Sequence, residues 1–361
     1  MHFAFTEQQD EFREAVRQVL AKECTTDHLR AAFESPAART ARWATLAALG
    51  VVGLSVPVAH GGLGLGLVDL VPLLEEAGRV GLPEPLLETT ALAAPVLAGL
   101  VGSGPGADAA TVLRLESIAA GGMAAAVGAP GPVAAPLAGA DGGDLFVLPA
   151  PGADGPEVHV VESGAVAVSP VPSLDPTRRL GLARWDPTPG SRVATGALAA
   201  SIIGRTADRA AVATAAELLG LADRMIGLAA DYARERHQFG KPIGSFQAVK
   251  HLLAGAQVKL EFARPAVYGA AWAVDQSDPA AAVASKVASR AASRAASTAK
   301  AYASDAATEA ARVSLQVHGA IGYTWECDLH LFLKRAWALS EAWGSAADHR
   351  SRVLSSLIEP S

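Results

Sequence analysis

Apolar residues first recur at helical spacing at Phe12, Val16, Val19 and Leu20, on one face of a helix that Thr6 and Gln9 open as a capping box. A second helix is expected to end near Leu49–Gly50. A third begins after Gly66, with Pro72 in its first turn, where a missing N–H breaks no ladder bond. From about Gly128 to Gly190 the pattern changes. Pro, Gly and Asp punctuate short apolar runs at Leu145–Leu148, Val158–Val161 and Val166–Val168, which read as strands joined by turns. From about Ala194 the helical period returns, and Val212, Ala215, Ala216, Leu219, Ala222, Ile226 and Ala229 trace one apolar stripe. Further helices are expected from Ser245 to Asp275, kinked at Pro265, and from Pro279 to Val317. The pattern predicts a chain that is mainly α with a small middle β domain, divided as residues 1–127, 128–193 and 194–361.

The Ala/Ser/Arg-rich run with Lys286, Arg290, Arg294 and Lys300 fits that picture. Alanine is the best helix former, and charges at helical spacing read as a solvated or subunit-facing side. Composition then narrows the function classes. Half of the 361 residues are apolar, 18% are charged and the net charge is −6, so there is ample surface to bury and no basic block for nucleic acid. The apolar tracts Ala91–Val101 and Ala119–Ala140 are too short or are broken by Gly and Pro, so no membrane span is expected. Met1–Asp10 is charged and polar and does not read as a secretory leader. Cys24 and Cys327 match no metal spacing and read as free thiols of a cytoplasmic protein without a metal site. The sequence has no G-x-S-x-G, P-loop or Cys/His cluster. The glycine-rich His60–Gly66 stretch does not fall as G-x-G-x-x-G and reads as a tight turn rather than a phosphate loop.

Three segments carry the functional signal. Ala233 to Gln247 reads ARERHQFGKPIGSFQ, Leu315 to Glu326 reads LQVHGAIGYTWE, and Phe5–Gln9 lies upstream of Pro57–Gly66. Together they resemble the acyl-CoA dehydrogenase family over nearly the whole chain. The resemblance implies an N-terminal helical domain, a β-barrel-like middle domain and a C-terminal four-helix bundle, assembled as a dimer of dimers with each FAD at an interface. In such enzymes a carboxylate removes the pro-R α-proton of an acyl-CoA while the β-hydrogen leaves as hydride to flavin N5. The product is a trans-2-enoyl-CoA, and an electron-transfer flavoprotein takes the electrons. By the same resemblance Arg236, Gln238, Phe239 and Gln247 reach a neighbour's FAD, while Gln316, Val317, Gly319 and Ala320 complete its adenosine end. The residue types suit the task. Arginine offers a planar fork of donors to a pyrophosphate, glutamines hydrogen-bond phosphate, ribose or flavin edge, and the Gly319–Ala320 pair lets backbone amides come close. The plainer alternative is that Arg236 pairs with Glu235 or another exposed carboxylate, and that Gly319 only turns the chain.

The chain departs from the family where the chemistry is done. In a Tyr-Glu-Gly-Thr type motif the family carries its base as Glu. Here the segment is Glu341-Ala342-Trp343-Gly344-Ser345, and an indole at that position accepts no proton. The other family position for the base, at the start of the helix leading to Arg236, falls on Ala210 and Ala211. Asp208 is the stand-in candidate, with an ordinary helix N-cap as its alternative role. Glu341 is the other, two residues before Trp343 and so about 200° round a helix from it. The flavin-facing Thr-Glu-Pro loop is replaced by Val127-Gly128-Ala129-Pro130-Gly131-Pro132, which lacks a side-chain hydroxyl, and the Trp-Ile-Thr/Ser strand has no counterpart. The chain thus resembles the small, base-lacking subunit of α2β2 acyl-CoA dehydrogenases that degrade steroid side chains. A self-sufficient homotetramer using Asp208, a non-catalytic CoA-binding or scaffold protein, and a flavoprotein oxidase or monooxygenase on the same fold remain the competing readings.

Overall fold

A computed structural model describes residues 4–35, 41–102, 109–130, 135–277 and 286–358. The expected helix start at Pro279 and the Gly131–Pro132 end of the altered loop lie outside the described residues.

Helix α1 (Glu7–Glu23) opens on the capping box. The Gln9 amide donates to the Thr6 hydroxyl at 3.3 Å, and the Thr6 amide donates to the Gln9 side chain at 2.8 Å. Val16 and Leu20 face inward from it. There follow α2 (Thr26–Glu34), α3 (Ala41–Ala48), α4 (Leu67–Val80), a π-helical turn over Leu87–Ala93, α5 (Ala94–Gly102) and α6 (Ala109–Ala119). Pro72 lies in the second turn of α4 rather than the first. A ladder bond is lost there, and the buried Leu70, Val71, Leu73 and Leu74 keep the helix in place through packing. His60–Gly66 is a turn, with the Gly64 amide on Val56 O at 2.8 Å and the Leu65 amide on Leu54 O at 3.0 Å.

The strands β1 (Ala125–Val127), β2 (Leu145–Gly152), β3 (Gly155–Glu162), β4 (Ala167–Pro170), β5 (Gly181–Arg184) and β6 (Arg192–Thr195) build two ladders. One sheet runs β1-β2-β3-β6, with β1 parallel to β2 and the rest antiparallel, and β4 pairs with β5. Between them Ala126, Leu137, Ala140, Phe146, Leu148 and Val161 form a core, against which Val166, Val168, Ala183 and Trp185 pack. The segment expected to be helical up to Val127 therefore ends in a strand. Its alanines favour helix, and pairing with β2 overrides that preference.

Helix α7 (Gly196–Glu235) leads to a hairpin of β7 (His237–Gln238) and β8 (Lys241–Pro242), then to α8 (Gln247–Gln276), α9 (Lys286–His318), α10 (Leu329–Glu341) and α11 (Ala346–Ile358). All seven residues of the expected stripe on α7 are buried. Helix α9 packs against α8, α10 and α11. One expectation on α9 fails: Arg290 and Arg294 are solvated, but Lys300 is 0% exposed.

The described residues form two compact units. One draws on the chain up to Arg30, on Val71–Leu82 and on the chain from Ala211 onward; the other holds Ala31–Leu70 and Pro83–Ala210. Within the first, buried Glu75 and Glu76 of α4 collect cations from three helices. Arg13 of α1 meets Glu76 at 2.8 Å, Arg264 of α8 meets Glu75 at 3.1 Å, and Arg79 pairs with both Glu76 and Asp223 of α7. The Tyr268 hydroxyl also donates to Glu75, and burial together with that carboxylate pushes its pKa up, so it stays a donor. Among the described residues, no helix is long and apolar enough to cross a membrane.

Candidate functional site

The Arg236 segment folds as a projection from the end of α7. The Arg236 amide closes the last turn on Tyr232 O at 2.9 Å, and the Ile243 amide returns to Arg236 O at 2.7 Å. Between those bonds the chain makes a two-residue hairpin in which Phe239 (φ 53°) and Gly240 (φ 76°) both take positive φ. Glycine does this without strain. Phenylalanine does not, and it is 91% exposed, its ring meeting that of Phe246 edge-on at 6.1 Å between centroids. Lys241 lies over the Phe246 ring at 4.5 Å, and Gln247 begins α8 just beyond.

The second motif ends α9. Its His318 Nδ1 lies 2.8 Å from Ser314 O, and its ring stacks on Tyr232 of α7 with centroids 4.6 Å apart and planes at 19°. The stack joins the two sequence motifs on one part of the molecule. Gly319 turns the chain at φ 63°, and Gln316, Gly319 and Ala320 are exposed. The Val317 side chain is buried, so only its backbone is available to a ligand.

Arg236, Gln238, Gln247 and Gln316 are all exposed, and their side chains have no hydrogen-bond or ion-pair partner among the described residues. The pairing of Arg236 with Glu235 or another carboxylate is therefore not made among the described residues. A dinucleotide asks for free donors beside open backbone, and this surface supplies both.

The base positions stand otherwise. Ala210 and Ala211 are buried inside α7, which begins at Gly196, so Asp208 is a half-buried residue of the helix interior and not an N-cap. The reading of a helix starting near Asp208 fails because buried Ala199, Ile202 and Thr206 extend the inward face backwards at helical spacing. Helix α10 stops at Glu341, and Ala342 is extended (ψ 138°) while Trp343 takes φ 59°. The helical offset expected between Glu341 and Trp343 therefore does not apply, because they flank a turn.

Sequence reasoning missed what holds that turn. Buried Lys300 donates to Ser340 O at 2.9 Å, Gly344 O at 3.0 Å and Ser304 Oγ at 3.1 Å. These bonds satisfy carbonyls that the end of α10 leaves open. Buried His349 donates from Nε2 to Trp343 O at 3.1 Å. Burial and the nearby Lys300 charge push its pKa down to about 4. The one available signal was spacing: Lys300 lies six residues after Arg294, about 240° round the helix and off the charged stripe.

A mainly helical chain with one small β insert, ending in long packed helices beside an exposed arginine hairpin, has the architecture of a flavin-dependent dehydrogenase. The family model described as acyl-CoA dehydrogenase, N-terminal domain matches residues 6–103, and the C-terminal domain model matches residues 200–358. The chain is 32% identical to acyl-CoA dehydrogenase IpdE2 of Mycobacterium tuberculosis, covering 98% of each chain. It superposes on a chain of the ChsE4–ChsE5 complex from Mycobacterium tuberculosis with a TM-score of 0.83 at 25% identity over 100% of both. A Tcur3481–Tcur3483 steroid ACAD chain gives a TM-score of 0.79 at 26% identity, covering 97% of this chain and 98% of that one. The chain belongs to the acyl-CoA dehydrogenase family, whose members are FAD-dependent oxidoreductases of acyl-CoA thioesters.

Proposed function

We propose that this chain is the base-lacking subunit of a heteromeric acyl-CoA dehydrogenase, completing the FAD site of a partner subunit that brings the carboxylate. The observation that carries the reading is an asymmetry. The donors that family members extend to a neighbour's cofactor are present, exposed and unpaired, while both base positions are filled by groups that accept no proton. FAD, when bound, supplies the hydride acceptor. Arg236 would hold its pyrophosphate, Gln238 and Gln247 would orient polar edges, and Gln316 with the Gly319–Ala320 backbone would receive the adenosine end. Trp343 leaves the α-proton to the partner. The relationship to a chain of the ChsE4–ChsE5 complex is consistent with an assembly of two different subunits.

The test is expression of the chain alone and together with the neighbouring dehydrogenase gene, followed by FAD-to-chain ratio and acyl-CoA-dependent reduction of an electron acceptor. The isolated chain should hold little FAD and turn nothing over. The co-expressed pair should be yellow and active, with half the potential sites filled, and Asp208→Asn in this chain should leave its rate unchanged. Full FAD loading with turnover by the isolated chain would refute the proposal, and a rate abolished by Asp208→Asn would transfer the base to this subunit.

A further inference from the structure

The groups read as FAD contacts stand at two separate helix ends. Arg236 and Gln238 follow α7, whereas Gln316 and the Gly319–Ala320 backbone belong to the end of α9 and the turn after it. A pyrophosphate and its adenosine are joined by covalent bonds, so contacts on two helices serve both only if the helix ends keep one spacing. An aromatic stack lies between those ends. His318, the last residue of α9, is 8% exposed and stacks on Tyr232 in the last turn of α7. Its Nδ1 donates to Ser314 O at 2.8 Å, since a carbonyl oxygen has no proton to give, and this fixes the plane of the imidazole. Ser314 is itself pinned, because its buried hydroxyl donates to Met225 O of α7 at 2.8 Å.

Each ring is tied to one of the two motifs. Tyr232 O accepts from the Arg236 amide, and the chain leaving the hairpin passes close to the next residue of α7. A Cβ on Gly244 would lie 2.9 Å from Ala233 O, so a larger residue would push the hairpin off the helix end. On the other side, a Cβ on Gly322 would lie 3.0 Å from His318 Cβ, so the turn that begins at Gly319 folds back directly onto His318. Tyr232 is half-buried, and its hydroxyl makes no hydrogen bond among the described residues. The ring, not the hydroxyl, carries the contact.

We propose, on the reading of Arg236 and Gln316 as FAD contacts, that Tyr232 and His318 are positioning residues, a stacked pair that sets the spacing between the two motifs. FAD affinity tests it, read from the fluorescence of flavin released on serial dilution of the co-expressed complex. Tyr232→Leu should weaken FAD about three- to tenfold, with a smaller effect on the acyl-CoA-dependent rate once FAD is saturating. Tyr232→Phe, which keeps the ring, should restore the affinity. His318→Leu removes the stack from the other side and should weaken FAD to the same degree, and the double variant should lose little more than either alone. Val274→Ala separates spacing from general loosening. It opens the core near the far end of α8 from Gln247, and should lower the thermal midpoint of the isolated chain while leaving FAD affinity unchanged. If Arg236→Ala leaves FAD affinity unchanged, the FAD contacts lie elsewhere and both readings fall. If Arg236→Ala weakens FAD but neither Tyr232→Leu nor His318→Leu does, or if Val274→Ala costs as much affinity as they do, the positioning role alone is overturned.

Discussion

Phe239 is where the sequence works against local stability, and it does so at an exposed position. A phenylalanine at positive φ costs about 1 kcal/mol relative to glycine, and at 91% exposure its ring recovers little from burial. The proposed function gives that exposed ring a contact on the partner's FAD, which a glycine would remove. Phe239→Gly should therefore leave the isolated chain as stable as wild type or up to about 1 kcal/mol more stable by denaturant titration. The same variant should lose at least tenfold in FAD retention when co-expressed with the partner. Loss of stability in the isolated chain would mean that the ring is a structural element of the hairpin and nothing more. The motif around it was legible in the sequence as a string of residue types. Its hairpin form was less so, because His-Gln-Phe-Gly-Lys-Pro has no Asn-Gly or Asp-Gly pair and Phe239 argues against positive φ.

At the scale of elements, the junction of α9, α10 and α11 shows why periodicity alone placed helices well and their ends poorly. An apolar stripe located α7, and alanine content with charges at helical spacing located α9, since burial of one face and intrinsic propensity both favour a long helix. The turn after α10 depends instead on two buried side chains, Lys300 from far back in α9 and His349 from the first turn of α11. Their pairing with carbonyl oxygens leaves no periodic trace. His349 gives this junction a pH dependence. In the folded chain it stays neutral down to about pH 4, whereas unfolded it takes up a proton near its ordinary value of 6.5. Between those limits the unfolded state binds more protons, so stability falls as the pH drops from 6.5 towards 4 and is unaffected by this group above 6.5. The difference of about 2.5 pKa values corresponds to on the order of 3 kcal/mol. Wild type and His349→Gln, compared by urea unfolding at pH 7 and pH 4.5, should differ in how much stability each loses, with the variant losing less. Parallel losses would remove His349 as the source.

At the scale of the whole molecule, the order of helices, strands and helices was readable from composition and period, but the state of the base site was readable only as two missing carboxylates. The structure adds the reason those positions are not simply waiting for one. The turn holding Trp343 is intact, with its carbonyl bonded by His349 and that of Gly344 by Lys300. Glutamate at φ 59° carries no more backbone strain than tryptophan does, so Trp343→Glu should fold. A general base contributes about 10²–10⁴-fold, but only when the reacting atoms are already held against the cofactor. The loop that would face this chain's own flavin reads Gly128-Ala129-Pro130, without a hydroxyl to offer it. Restoring the carboxylate alone should therefore not restore catalysis. Isolated Trp343→Glu should show acyl-CoA-dependent reduction of an acceptor no faster than the isolated wild type, and in the co-expressed pair it should leave the rate set by the partner's base. Turnover by the isolated variant well above wild type would mean that this chain positions a flavin unaided and lost only its proton acceptor, and the two-subunit reading would fall.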